Sequence, residues 1–168
     1  RAEVKQILKS AKATSPGADK VDRKLLRKIG PDRLRVLFNL FLLTSIVPEE
    51  LKMGRWTLVP KTENPNHPKD FRPITVGSMI LRSYHSLLCK RLQTIPLRGT
   101  QKGFMERDGI SENISILKAL FQKARTDRRS VYMCLLDVSK AFDSVAHGAI
   151  IAALERLGVP AELITYVR

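Results

Sequence analysis

Six apolar residues in a row, Val131-Tyr132-Met133-Cys134-Leu135-Leu136, stop abruptly at Asp137. A run of that length suits a β-strand covered on both faces. A strand ending in a carboxylate delivers that charge to the edge of a sheet, where cavities and ligands gather in α/β folds. An unpaired charge there would be costly, and a hard divalent cation is a natural partner. The next residues turn the chain toward a helix expected over about 144–157, leaving Phe142 near the same mouth. Asp137 reads equally well as a turn or cap residue. Asp143 reads better as the N-cap of the following helix.

Upstream, the pattern is helical, then extended, then helical again. Val4, Ile7, Leu8 and Ala11 recur at helical spacing within 2–13, with Lys5, Lys9 and Lys12 elsewhere on the wheel. Ser15-Pro16-Gly17 ends that helix in a turn. Further helices are expected over about 19–29, stopped by Gly30-Pro31, and over about 32–46, apolar on most sides and therefore central. Arg55–Val59 and Phe71–Val76 are short runs of strand formers. Between them PKTENPNHPKD reads as the long, mobile, basic tip of a β-hairpin. A long helix follows, striped by Ile80, Tyr84, Leu87, Leu88, Leu92 and Ile95, with Arg82, Lys90 and Arg91 off the stripe. A loop over 96–109 leads to a helix over about 110–125, with Ile110, Ile114, Leu117, Phe121 and Ala124 in register and Asp108 or Ser111 as its cap. In the helix over 144–157, Ile150, Ile151, Leu154 and Leu157 point inward and Gly158 is the stop.

Charge narrows the function classes. Of the net +14, residues 1–102 hold +13 (21 basic against 8 acidic), and residues 103–168 hold +1. A concentrated basic half fits a polyphosphate partner, because counterion release drives binding to nucleic acid; a solvated basic face is the bland alternative. No strongly amphipathic basic helix with Trp or Phe anchors argues for a membrane surface. The most apolar stretch, Val36 to Val47, is too short to cross a bilayer. Cys89 and Cys134 lie in apolar runs without metal-ligand spacing, which disfavours a disulfide framework and favours a reducing, intracellular compartment. His67, His85 and His147 also lack ligand spacing and read as surface or packing residues. Trp56 reads as hairpin packing. The chain opens mid-pattern at Arg1 and stops within an apparent helix at Arg168, as a piece of something longer would.

Four segments, in order, carry a resemblance. LLDVSKAFDSV (135–145) resembles motif A of reverse transcriptases, especially those of non-LTR retrotransposons. KSAKATSPGADKV (9–21) resembles the motif that precedes the fingers. LVPKTENPNHPKDFRPITV (58–76) is similar to the fingertip hairpin, and QKGFMERDGISENI (101–114) to the QxGF motif with its helix. The wording is most similar to the site-specific type that inserts into ribosomal DNA.

The resemblance implies an α+β fold: mostly helical fingers with a β-hairpin over 1–130, then the first strand and helix of an incomplete right-hand polymerase palm over 131–168. It implies RNA-directed DNA polymerisation in target-primed retrotransposition, on an RNA template and a DNA primer or target, with dNTP and two Mg2+ ions, in the nucleus. Asp137 is similar to the first catalytic aspartate, binding both ions with the Val138 carbonyl. Phe142 stands where the family keeps a bulky gate against the ribose 2′-OH, though core packing also fits it. Arg72 looks like the fingers arginine that grips the triphosphate, with a salt bridge to Asp70 as its alternative. Lys61 is a second phosphate candidate. Gln101, Gly103 and Phe104 would face template or nucleotide, and Phe104 could equally be core. Lys9, Lys12 and the Ser15-Pro16-Gly17 turn would touch the template, though a solvated helix face serves the two lysines almost as well.

The family's second carboxylate pair, in a YxDD or FxDD turn, is found nowhere in the 168 residues. The remainder of the palm and the thumb would belong to the parent chain, and this piece alone is expected to be inactive. Competing readings are a group II intron maturase, a non-catalytic RNA-binding module of the same fold, and a helical scaffold with a basic surface.

Overall fold

The computed structural model describes residues 1–96, 101–105 and 107–168. Eight helices and one two-stranded sheet are found among them: α1 (Ala2–Ser10), α2 (Arg23–Ile29), α3 (Pro31–Thr44), α4 (Glu49–Lys52), β1 (Arg55–Pro60), β2 (Phe71–Val76), α5 (Met79–Leu92), α6 (Gly109–Thr126), α7 (His147–Arg156) and α8 (Ala161–Val167). The class is α+β. None of these helices is long and apolar enough to cross a membrane. The chain divides into two units, one of Arg1–Leu92 with Ile151–Arg168, the other of Gln93–Ile150.

The first unit owns the core. Several of its helices contribute: Val4, Ile7 and Leu8 from α1, Leu26 from α2, Leu34, Phe38 and Phe41 from α3, and Tyr84, Leu87 and Leu88 from α5. Tyr84 is the hub. Its ring lies 5.2 Å from Phe38, 5.5 Å from Phe41 and 5.1 Å from Tyr166 of α8, tilted or edge-on as aromatic quadrupoles prefer. Burial pushes the Tyr84 hydroxyl up to about 12.

Local chemistry sets the ends. Asp22 accepts a hydrogen bond from the Leu25 N–H at 2.7 Å, so α2 starts at Arg23 rather than 19. Ser45, in the left-handed region at φ 54°, ends α3 at Thr44. That helix is less central than its composition suggests, because Val36, Leu40 and Leu43 are exposed. Gly158 takes φ 68° just beyond α7, the left-handed stop its position implies. Asp108 caps α6, accepting from the Ser111 N–H at 3.1 Å and the Ser111 hydroxyl at 2.6 Å, and these bonds hold its carboxyl below the usual range.

Several expectations fail, among them the inward face of α7, which has no buried residue. Residues 131–136 form no strand; Tyr132, Leu135 and Leu136 are more than 80% exposed. A strand needs a neighbour to hydrogen-bond, and β1 and β2 pair only with each other among the described residues. Nor does Asp143 cap a helix. Residues 139–144 form successive turns, and α7 begins at His147 under the Ala146 carbonyl, which accepts from the Ala149 N–H at 3.0 Å. The apolar stripe of α6 is likewise exposed, with no residue of that helix buried.

Candidate functional site

In the first unit, the Ser15-Pro16-Gly17 turn rests on the start of α5. Gly17 is buried, and a Cβ there would lie 2.7 Å from the Gly77 carbonyl carbon and the Ser78 nitrogen. Two backbones meet where any side chain would part them. Ser78 begins α5 by accepting from the Ile80 N–H at 3.2 Å. One turn on, Arg82 reaches back, donating to the Thr14 hydroxyl at 3.0 Å and the Ser15 carbonyl at 2.8 Å. Ser15 stays exposed and Pro16 half-buried; Lys9 and Lys12 are exposed on the same segment. A shallow cavity of ≈ 180 Å³ lies beside the turn, with Lys12, Thr14, Arg82 and Ser86 among its lining. Sequence pattern placed Arg82 off the apolar stripe of its helix. No local signal could supply its partner, which stands nearly 70 residues upstream.

The hairpin pairs in strict antiparallel register, Arg55 opposite Val76 and Val59 opposite Arg72. Arg72 is exposed and makes no ion pair among the described residues. The alternative of a salt bridge to Asp70 is not formed among the described residues. The Asp70 carboxylate accepts from the backbone N–H groups of Asn66 at 3.1 Å and His67 at 2.9 Å, closing the tip. Lys61 is committed too, donating to the Lys69 carbonyl at 2.6 Å. The tip is therefore a hydrogen-bonded turn with Pro68–Asp70 as a single 3-10 turn. Trp56 is exposed rather than packed.

In the second unit, Gln101, Gly103 and Phe104 form a turn whose Gln101 amide donates to the Gly103 carbonyl at 3.2 Å. Lys102 pairs with Glu112 of α6, and this hydrogen bond lowers the Glu112 carboxyl. Gly109 lets the same turn lie against the helix start, since a Cβ there would fall 2.8 Å from the Lys102 Cβ. Phe104, at φ 60°, projects its ring from this turn and meets Phe142, with centroids 6.2 Å apart at 73°. Two residues assigned to separate motifs, 38 positions apart, thus touch. Phe104 is not core: it is 86% exposed, and Phe142 83%.

Asp137 and Val138 lie on the irregular exposed segment that precedes the turns. They belong to the second unit, whereas Arg72 and Lys61 belong to the first. Among the described residues no three His, Cys, Asp or Glu side chains are grouped to hold a metal ion. A hard divalent cation takes six or more oxygens, so Asp137 and the Val138 carbonyl could not hold one by themselves.

The family model for "Reverse transcriptase (RNA-dependent DNA polymerase)" matches residues 59–167. Among curated proteins, the chain is 34% identical over 157 residues to the "Retrovirus-related Pol polyprotein from type-2 retrotransposable element R2DM" of Drosophila melanogaster, covering 93% of this chain and 15% of that protein. It is 34% identical over 166 residues to the Pol polyprotein of the type-1 retrotransposable element R2 of Nasonia vitripennis, covering 98% and 16%. Its identity to that of Popillia japonica is 35% over 169 residues, covering 99% and 23%. The chain thus spans less than a quarter of the length of these relatives.

Proposed function

The chain belongs to the reverse transcriptase (RNA-dependent DNA polymerase) family, and from that premise we propose that it supplies the template-gripping and nucleotide-receiving part of an RNA-directed DNA polymerase of a non-LTR retrotransposon. Residues 1–130 act as the fingers and 131–168 as the start of the palm. The polymerase copies RNA onto a DNA primer at its target, which puts its work in the nucleus. The meeting of Phe104 with Phe142 carries this reading, because it joins the segment similar to the QxGF motif to the segment similar to motif A.

Each side chain has a role set by its surroundings. The turn at 15–17, held by Gly17 and Arg82, presents backbone and lysine side chains to template phosphates. Arg72 projects from β2 with a guanidinium uncommitted among the described residues, suited to a bidentate grip on the triphosphate. Lys61 is the weaker phosphate ligand, since its amine already serves the Lys69 carbonyl. Phe142 excludes the ribose 2′-OH. Asp137 and the Val138 carbonyl contribute ligands to magnesium, with the remaining carboxylates supplied by the longer polymerase.

This assignment makes the 168 residues a binding piece that cannot polymerise unaided. The concentrated positive charge supports the binding role, and the 168 residues hold no YxDD or FxDD turn to supply further metal-binding carboxylates. The purified chain should bind single-stranded RNA with a log–log salt slope of several units and extend no primer when magnesium and dNTP are added. Extension that Asp137→Ala abolishes would overturn the inactivity, and binding indifferent to salt would overturn the template role.

A further inference from the structure

We propose that Phe104 is a positioning residue for sugar selection: it braces Phe142 edge-to-face and fixes where that ring stands, without itself touching the nucleotide. The inference rests on the gate role assigned to Phe142. It departs from the expectation that Phe104 faces template or nucleotide directly.

The geometry favours bracing. Each ring is more than 80% exposed, and each is the other's aromatic neighbour among the described residues. A phenyl ring so exposed swings between rotamers unless something limits it. At 6.2 Å and 73° the edge of one ring meets the face of the other, the arrangement aromatic quadrupoles favour. Both turns that deliver the rings are set. Phe104 itself adopts φ 60° and Lys140, two residues before Phe142, adopts φ 51°, conformations that non-glycine residues take only where the surroundings hold them. The Phe142 turn is closed by the Ser144 N–H donating to the Lys140 carbonyl at 3.0 Å and the Ser144 hydroxyl to the Ala141 carbonyl at 3.1 Å. The Phe104 turn is tied to α6 through Gly109 and the Lys102–Glu112 pair. Two anchored turns each present one ring to the other.

The test measures, in the longer polymerase, the ratio of kcat/KM for a dNTP to that for the matching rNTP. Phe104→Ala should lower this ratio by about threefold to tenfold, the equivalent of one edge-to-face pair. Phe104→Trp should restore most of it. Phe142→Ala should lower the ratio further, and the double variant should match Phe142→Ala alone, because the brace has then nothing to hold. Equal losses for dNTP and rNTP in Phe104→Ala, or losses that multiply in the double variant, would overturn the brace while leaving the gate standing. An unchanged ratio in Phe142→Ala would overturn both.

Discussion

Replacing Gly17 by alanine should cost about 2 kcal/mol of stability. The added methyl would sit 2.7 Å from the Gly77 carbon and the Ser78 nitrogen and 2.8 Å from the Gly77 oxygen. Ordinary contact begins near 3.4 Å, so the turn and the start of α5 must part by the difference, about 0.7 Å. All three obstructing atoms are backbone, and none can rotate aside. Overpacking of this kind costs about 1–3 kcal/mol. In a domain of this size, about 2 kcal/mol lowers Tm by roughly 4–8 °C. The shift would also draw Thr14 and Ser15 away from their bonds to Arg82, so RNA binding should weaken in parallel. Thermal unfolding followed by far-UV circular dichroism reads the first effect. Gly77→Ala is the control, because a Cβ there meets nothing within 4 Å. A Gly17→Ala chain melting within about 1 °C of the parent, or a control that loses as much, would refute the close-approach argument.

Three further outcomes follow from single contacts. Arg72→Ala in the longer polymerase should lower kcat/KM for dNTP by about 10- to 100-fold, the worth of a charged hydrogen bond, with Tm and RNA affinity intact; a matching loss of Tm would make Arg72 structural. Charge reversal of Lys9 and Lys12 should reduce the salt slope of RNA binding by about one to two units, and an unchanged slope would place them off the template path. The Arg91 guanidinium holds the Glu3 carboxyl below its usual range through bonds of 3.0 and 2.8 Å. A lowered carboxyl stabilises the fold fully above the unfolded value of about 4.3. That contribution fades as pH falls through the folded value, so Glu3→Gln should flatten the acid side of a stability-versus-pH curve; a curve of unchanged shape would show the pair contributes nothing.

What could be read ahead of the structure was what local chemistry decides. The stripe Val4, Ile7, Leu8 is buried as its spacing implies, Asp108 caps its helix, and Gly158 stops the next. The hairpin fell where two runs of strand formers flank a proline-rich tip. What escaped depends on partners. The run 131–136 records that these residues suit burial but not which strand covers them, and no described strand does. Asp143 looked like a cap because a helix start cannot be fixed to within three residues when turns intervene. Arg82 and the Phe104–Phe142 contact join distant segments, and side-chain periodicity within one element is silent on both. For the candidate residues, type was legible in the sequence. Commitments were not, as Lys61 spending its amine on the tip illustrates.

The most direct trial of the whole account is primer extension by the longer polymerase carrying Asp137→Asn, with template RNA affinity measured on the same preparation. Loss of the carboxylate proposed to hold magnesium should cut extension by several kcal/mol of barrier, roughly a thousandfold, at unchanged RNA affinity. Extension within tenfold of the parent would contradict the claim that this acid serves the chemistry.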